Sequence, residues 1–177
     1  MKNFLLPIVA LIVFVACQPT KESRLDRIAT LERQTMQDSR EISKERADSL
    51  LSMYDAYILD FPTDTNSAIM LHKAADVSTN VMYCDKAIIY LERLVGDFPN
   101  SNMVEIAKFK MGGVYEKACN NKEKAKEAYG KFVQEYPNSP LARDAAILFQ
   151  MLDMPDEMDL IRQFELKNAE TKTTEEK

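Results

Sequence analysis

At 177 residues and 46% hydrophobic content the chain is long enough for one packed core, and its formal net charge of −5, with both signs interleaved, offers no footprint for nucleic acid or anionic lipid. One histidine, and no Gly-rich phosphate loop, G-x-S-x-G elbow or H-E-x-x-H pair, leave catalysis, metal binding and nucleotide chemistry without residues, so neither an enzyme nor a cofactor is expected. With 4 glycines and 7 prolines, long helices fit between the breaks, and apolar residues recur at helical rather than alternating spacing, which makes the chain all-α.

The N-terminus sets Lys2 before a thirteen-residue apolar run, Phe4 to Ala16. A spanning helix needs roughly 20 apolar residues, and the polar run Gln18-Pro19-Thr20-Lys21-Glu22 follows at once, so residues 1–16 read as a signal peptide. The end of that run, Phe14-Val15-Ala16-Cys17, resembles the lipobox of bacterial lipoproteins, with Phe14 where leucine is usual. The resemblance implies cleavage after Ala16 and acylation of Cys17, with palmitate among the chains that hold the protein to a membrane. Gln18 replaces the aspartate that commonly retains lipoproteins in the inner membrane, which implies the outer membrane; the periplasmic face is the expectation and surface exposure the alternative.

Residues 17–46 follow as a lipidated cysteine and a charged tether or helix. Half of the residues from Lys21 to Arg46 are charged, and Leu25, Ile28, Leu31 and Ile42 do not sustain a heptad, so this segment is expected to stand outside the core as a spacer. The core is expected over 47–167, as helices Ala47 to Asp60, Asn66 to Val77, Val81 to Asp97, Asn102 to Ala118, Lys122 to Glu135, Pro140 to Leu152 and Asp156 to Lys167. Residues 168–177 hold nothing large to bury and are expected to be a disordered tail.

Repetition organises the middle of the chain. Phe61-Pro62, Phe98-Pro99-Asn100-Ser101 and Tyr136-Pro137-Asn138-Ser139 stand 37 and 38 residues apart, a helical-repeat period. Leu50 and Tyr54, Ala87 and Leu91, Ala125 and Tyr129 share one register before these prolines. Met111-Gly112-x-x-Tyr115, Ala125-x-x-x-Tyr129 and Pro137 then resemble the tetratricopeptide repeat. They are especially similar to the repeats of periplasmic envelope proteins such as the Tol-Pal cell-division coordinator and the lipoprotein of the barrel-assembly machinery. The resemblance implies stacked antiparallel helix pairs, about three units in a right-handed superhelix, and a protein-binding scaffold that takes a peptide or helix of another envelope protein. A self-associating structural module is the alternative, and an envelope enzyme the remote one.

In the matched register the concave wall falls seven, ten and fourteen residues after each proline. That selects Ile69, His72 and Asp76, then Ile106, Phe109 and Gly113, then Asp144, Ile147 and Met151. The competing expectation is that the lengthened turn Ala118-Cys119-Asn120-Asn121-Lys122 rotates its helix and buries Phe109. Met151, Met154 and Met158 suggest core packing more than a soft-metal cluster. Cys84 and Cys119 lie at nearly equal distances from the Pro99 turn, so a disulfide between them is possible in an oxidising compartment. Two separate thiols remain the alternative, because Cβ directions are not readable from spacing.

Overall fold

The computed structural model describes residues 20–38, 42–154, 161, 162 and 165. Among them are seven helices, in order α1 Lys21–Asp38, α2 Lys44–Asp60, α3 Thr65–Asn80, α4 Cys84–Asp97, α5 Val104–Lys117, α6 Lys122–Glu135 and α7 Ala142–Met151. No strand occurs among the described residues. Cys17, the leader, most of the expected helix Asp156 to Lys167, Met158 and the tail 168–177 lie outside the described residues.

Three proline steps end α2, α4 and α6 alike. Phe61, Phe98 and Tyr136 share φ near −130° (−131, −128, −128) and ψ of 58, 54 and 56°. A following proline excludes the helical region for the residue before it, yet each N–H still donates to the carbonyl four residues back, in Tyr57, Leu94 and Phe132. Two residues after each proline, Asp64, Ser101 and Ser139 accept from the amides of Asn66, Met103 and Leu141 at 2.8, 3.2 and 3.0 Å, which satisfies an otherwise orphan donor at the next helix start. The reverse turns repeat as well. Met82 (φ 63°) before α4 and Asn120 (φ 48°) before α6 both take the left-handed conformation, easy for asparagine and costly for methionine. That turn is why α4 begins at Cys84 and not at the expected Val81.

α3/α4 and α5/α6 are the most closely packed pairs, and α7 closes the stack against α6. Ala87, Ala107, Ala125 and Ala145, each fully buried, let the backbones approach. The core divides in two. One part runs from Ile28 through Leu50, Tyr54, Leu71 and Leu91 to Val114, and the other gathers Ala125, Tyr129, Phe132 and Ala145. α4 and α5 meet along their apolar sides, with Leu91, Ala107 and Val114 buried and Ile88, Val95 and Met111 packed beside them.

Of the four glycines, Gly112 has the closest neighbour. A Cβ there would stand 2.4 Å from the Tyr129 ring, whereas one at Gly96 would meet nothing within 4 Å. Alanine normally favours a helix over glycine by roughly 1 kcal/mol. Gly96→Ala is therefore expected to stabilise by about 0.5–1 kcal/mol, and Gly112→Ala to destabilise by about 1–3 kcal/mol through overpacking. Urea denaturation of the two variants checks the opposite signs.

α1 corrects the expectation of a tether. Ile28 is buried, Leu25 and Leu31 pack beside it, and the helix is tied down by Arg24 to Asp60, Lys21 to Asp64 and Glu32 to Lys73 (2.8 Å). Glu32 also accepts from the Tyr54 hydroxyl at 2.8 Å. A terminal helix of a stack has one neighbouring face to cover, so a short apolar stripe suffices and the remaining charges stay in water. The packed array thus begins at Lys21, not at Ala47.

Asp64 joins α1 to the first turn of α3. The Lys21 ammonium and then the Asn66 amide hold its carboxyl down to about 2, against an ordinary 3.8. A depressed folded-state value means that Asp64 contributes stability above about pH 4, and that this is lost as pH falls from about 4 towards 2. Asp64→Asn keeps the cap but not the charge. The gap in urea midpoint between wild type and Asp64→Asn is expected at pH 6 and to close by pH 2, and a gap that persists at pH 2 would refute the linkage.

Cys84 and Cys119 are joined in a disulfide with Cα atoms 4.9 Å apart, so the alternative of two separate thiols is replaced. Cys84 opens α4 and Cys119 lies just past α5, so the hairpin already closed at Pro99 is clipped at its open end. The left-handed Asn120 and the bond from Asn121 N–H to the Tyr115 carbonyl (2.8 Å) form the turn that brings Cys119 there.

Candidate protein-binding surface

The first helices of the pairs, α1, α3, α5 and α7, form one layer. Ion pairs link the first three in series: Glu32 of α1 to Lys73 of α3 at 2.8 Å, and Asp76 of α3 to Lys110 of α5 at 2.5 Å. α3 touches α5 directly, while a groove separates the second helices α4 and α6. The stack therefore bends towards the first-helix layer, and that layer is the concave wall.

The nine residues selected from the sequence all lie on α3, α5 and α7, but they do different things. Ile69, Ile106, Ile147 and Met151 are 36, 37, 45 and 55% exposed, four large apolar side chains left in water on one layer. Gly113 between them leaves room, since a Cβ there would only just touch the Tyr129 hydroxyl, at 3.5 Å. Asp144 is exposed at the rim. Asp76 is engaged by Lys110 and by His72 Nδ1 at 3.6 Å. His72 is half-buried, and its Nε2 is buried without a hydrogen-bond partner. Burial first, and then the Lys110 charge, push its pKa down against the pull of Asp76, which favours a neutral imidazole.

Phe109 faces inward. Its ring lies 5.8 Å from Tyr129 and 5.5 Å from Phe132, packed against the second core cluster, so it belongs to the packing between α5 and α6. The competing expectation, burial of Phe109 in the core, is thus met in part, since the side chain is half-buried. Met151 and Met154, in contrast to the expected core packing, are exposed (55 and 64%), because nothing among the described residues covers the far side of α7.

Sequence reasoning missed a second feature. Between α4 and α6, over α5, runs a groove of about 430 Å³, floored by Met111, Tyr115 and Phe132 and edged by Glu92, Ala128 and Lys131. Burial, with Glu92 and Glu127 nearby, raises the Tyr115 phenol pKa.

Residues 107–139, α5 and α6 with the turn after them, match the family model of the tetratricopeptide repeat. The fold is that of stacked tetratricopeptide repeats. The matched unit carries Gly112 under Tyr129 and the Pro137 step, and α3/α4 repeats its helix pairing, turn conformations and proline step without the glycine, Ala75 standing in its place. No curated protein matches the sequence. Repeats of this kind generally mediate protein–protein interaction. No helix among the described residues is long and apolar enough to cross a membrane.

Proposed function

We propose that the chain is a membrane-anchored protein-binding scaffold of the bacterial cell envelope, held by lipid on Cys17, which takes a peptide or helix of another envelope protein against its concave wall. The observation that carries the binding reading is the row Ile69, Ile106, Ile147 and Met151, which leaves apolar side chains exposed on the layer that bends inward. An apolar anchor of the partner enters beside Gly113, and Asp144 supplies the polar rim. The anchoring reading is supported by the apolar run and Ala16-Cys17. Self-association through α1 is the weaker reading, because Ile28 is buried and Leu25 and Leu31 are half-buried within the stack.

A photo-reactive residue at Ile106 or Ile147 is expected to cross-link one discrete envelope protein in cells, while the same residue at Leu59, 80% exposed on α2, gives none. Equal patterns from all three positions would remove the wall as the site. Labelled palmitate is expected in wild type and not in Cys17→Ala, and label retained by that variant would refute the anchor.

A further inference from the structure

The groove between α4 and α6 has a filled counterpart one repeat earlier. In the seam between α2 and α4, Tyr90 is 6% exposed in one core cluster with Leu71 and Ala74 of α3, which are fully buried, as is Ser78 one turn on. Its hydroxyl donates to both carboxylate oxygens of Asp55 on α2, at 3.0 and 2.9 Å. The repeat register carries each of these residues forward by 37 or 38 positions. Asp55 becomes Glu92, the floor becomes Lys108, Met111 and Tyr115, and Tyr90 becomes Ala128. The acceptor is kept, the floor is half-exposed, and the aromatic plug is missing.

We infer that the α4/α6 groove is a socket for a tyrosine side chain of another protein, its ring laid over Met111 and Phe132 and its hydroxyl donated to Glu92 as Tyr90 donates to Asp55. The groove volume, about 430 Å³, lies within the range of ligand pockets, roughly 300–1,000 Å³, and exceeds what one ring needs. Glu92 and Glu127 make no ion pair among the described residues, whereas Glu135 is held by Lys108 at 2.7 Å, and of the two unspent acceptors Glu92 is the one in the equivalent place. The plug comes from outside the chain. Its own seven tyrosines, Tyr54, Tyr57, Tyr83, Tyr90, Tyr115, Tyr129 and Tyr136, are each at least half-buried, and residues 155–177 contain none. The socket opens on the second-helix side, away from Ile106 and Gly113, so it stands or falls independently of the concave wall.

The test titrates the full chain, methyl-labelled at methionine and alanine, with N-acetyl-L-tyrosinamide and separately with N-acetyl-L-phenylalaninamide, following the Met111 and Ala128 methyl resonances. The tyrosine amide is expected to give saturable shifts at both methyls. The phenylalanine amide, and the tyrosine amide on Glu92→Leu, are expected to bind about five-fold more weakly for want of one hydrogen bond. Ala128→Tyr builds the plug in place, and is expected to abolish the Met111 response and raise Tm. No saturable shift in wild type, equal binding of the two amides, or a Met111 response that survives in Ala128→Tyr would each overturn the assignment. Met111 shifts that depend on protein concentration alone would give the groove to a second copy and overturn it too.

Discussion

Replacing Cys84 and Cys119 together by serine is expected to lower the unfolding free energy by about 3 to 4 kcal/mol, the loop-closure entropy of the 35-residue separation on the chain-entropy model. The bridge joins the second helix of one repeat to the first helix of the next, across the one hairpin that the Pro99 turn closes at its other end. Its loss is therefore felt at a repeat interface, and in a linear array the interfaces carry the coupling between units. Reduction of wild type is expected to bring its urea midpoint down to that of the double-serine variant. Intact mass after alkylation without reductant is expected to show both thiols blocked. Two alkylated thiols at these positions, or a midpoint unmoved by reductant, would contradict the bridge.

Phe132→Ala is expected to cost about 3–5 kcal/mol. The ring is 1% exposed, 5.5 Å from Phe109 and 5.2 Å from Tyr136, and it belongs to the smaller of the two core clusters, in which Tyr129 is the other large buried side chain. It also floors the α4/α6 groove, so truncation opens that cluster to water. Phe109→Ala, half-buried against the same ring, is expected to follow at roughly 2–4 kcal/mol. Urea denaturation reads both, and a loss under about 1 kcal/mol for Phe132→Ala would mean that the α5/α6 unit is not packed as described.

Helix ends and the repeat frame were legible because their causes are local. A proline bars the helical region for Phe61, Phe98 and Tyr136 whatever packs around them, and the side chain two residues later reaches a nearby amide. Three features resisted for reasons that are not local. α1 needs only Leu25, Ile28 and Leu31 to dock, too short a pattern to separate from a solvated helix, and its ion-pair partners lie 36 to 43 residues away. Equal distances of Cys84 and Cys119 from the turn gave their heights along the hairpin, but not the Cβ directions that a bridge requires. Phe109 shares a register position with exposed Ile147 and half-buried His72, yet turns inward to Tyr129 and Phe132, a choice made by the packing of α5 on α6. The groove was hidden for another reason. Ala128 is unremarkable by itself, and its meaning comes from Tyr90 at the same register position one seam earlier.

Protein binding by the exposed apolar row on the first-helix layer is tested most directly by capture of the cross-linked partner by wild type and by the double variant Ile106→Asp, Ile147→Asp. Both side chains already stand in water, 37 and 45% exposed, so the variant is expected to keep its thermal midpoint within a degree or two of wild type. Placing two carboxylates where an apolar anchor is buried is expected to abolish capture. A variant that folds normally and still captures the partner at the wild-type level would show that the concave wall is not where this chain binds.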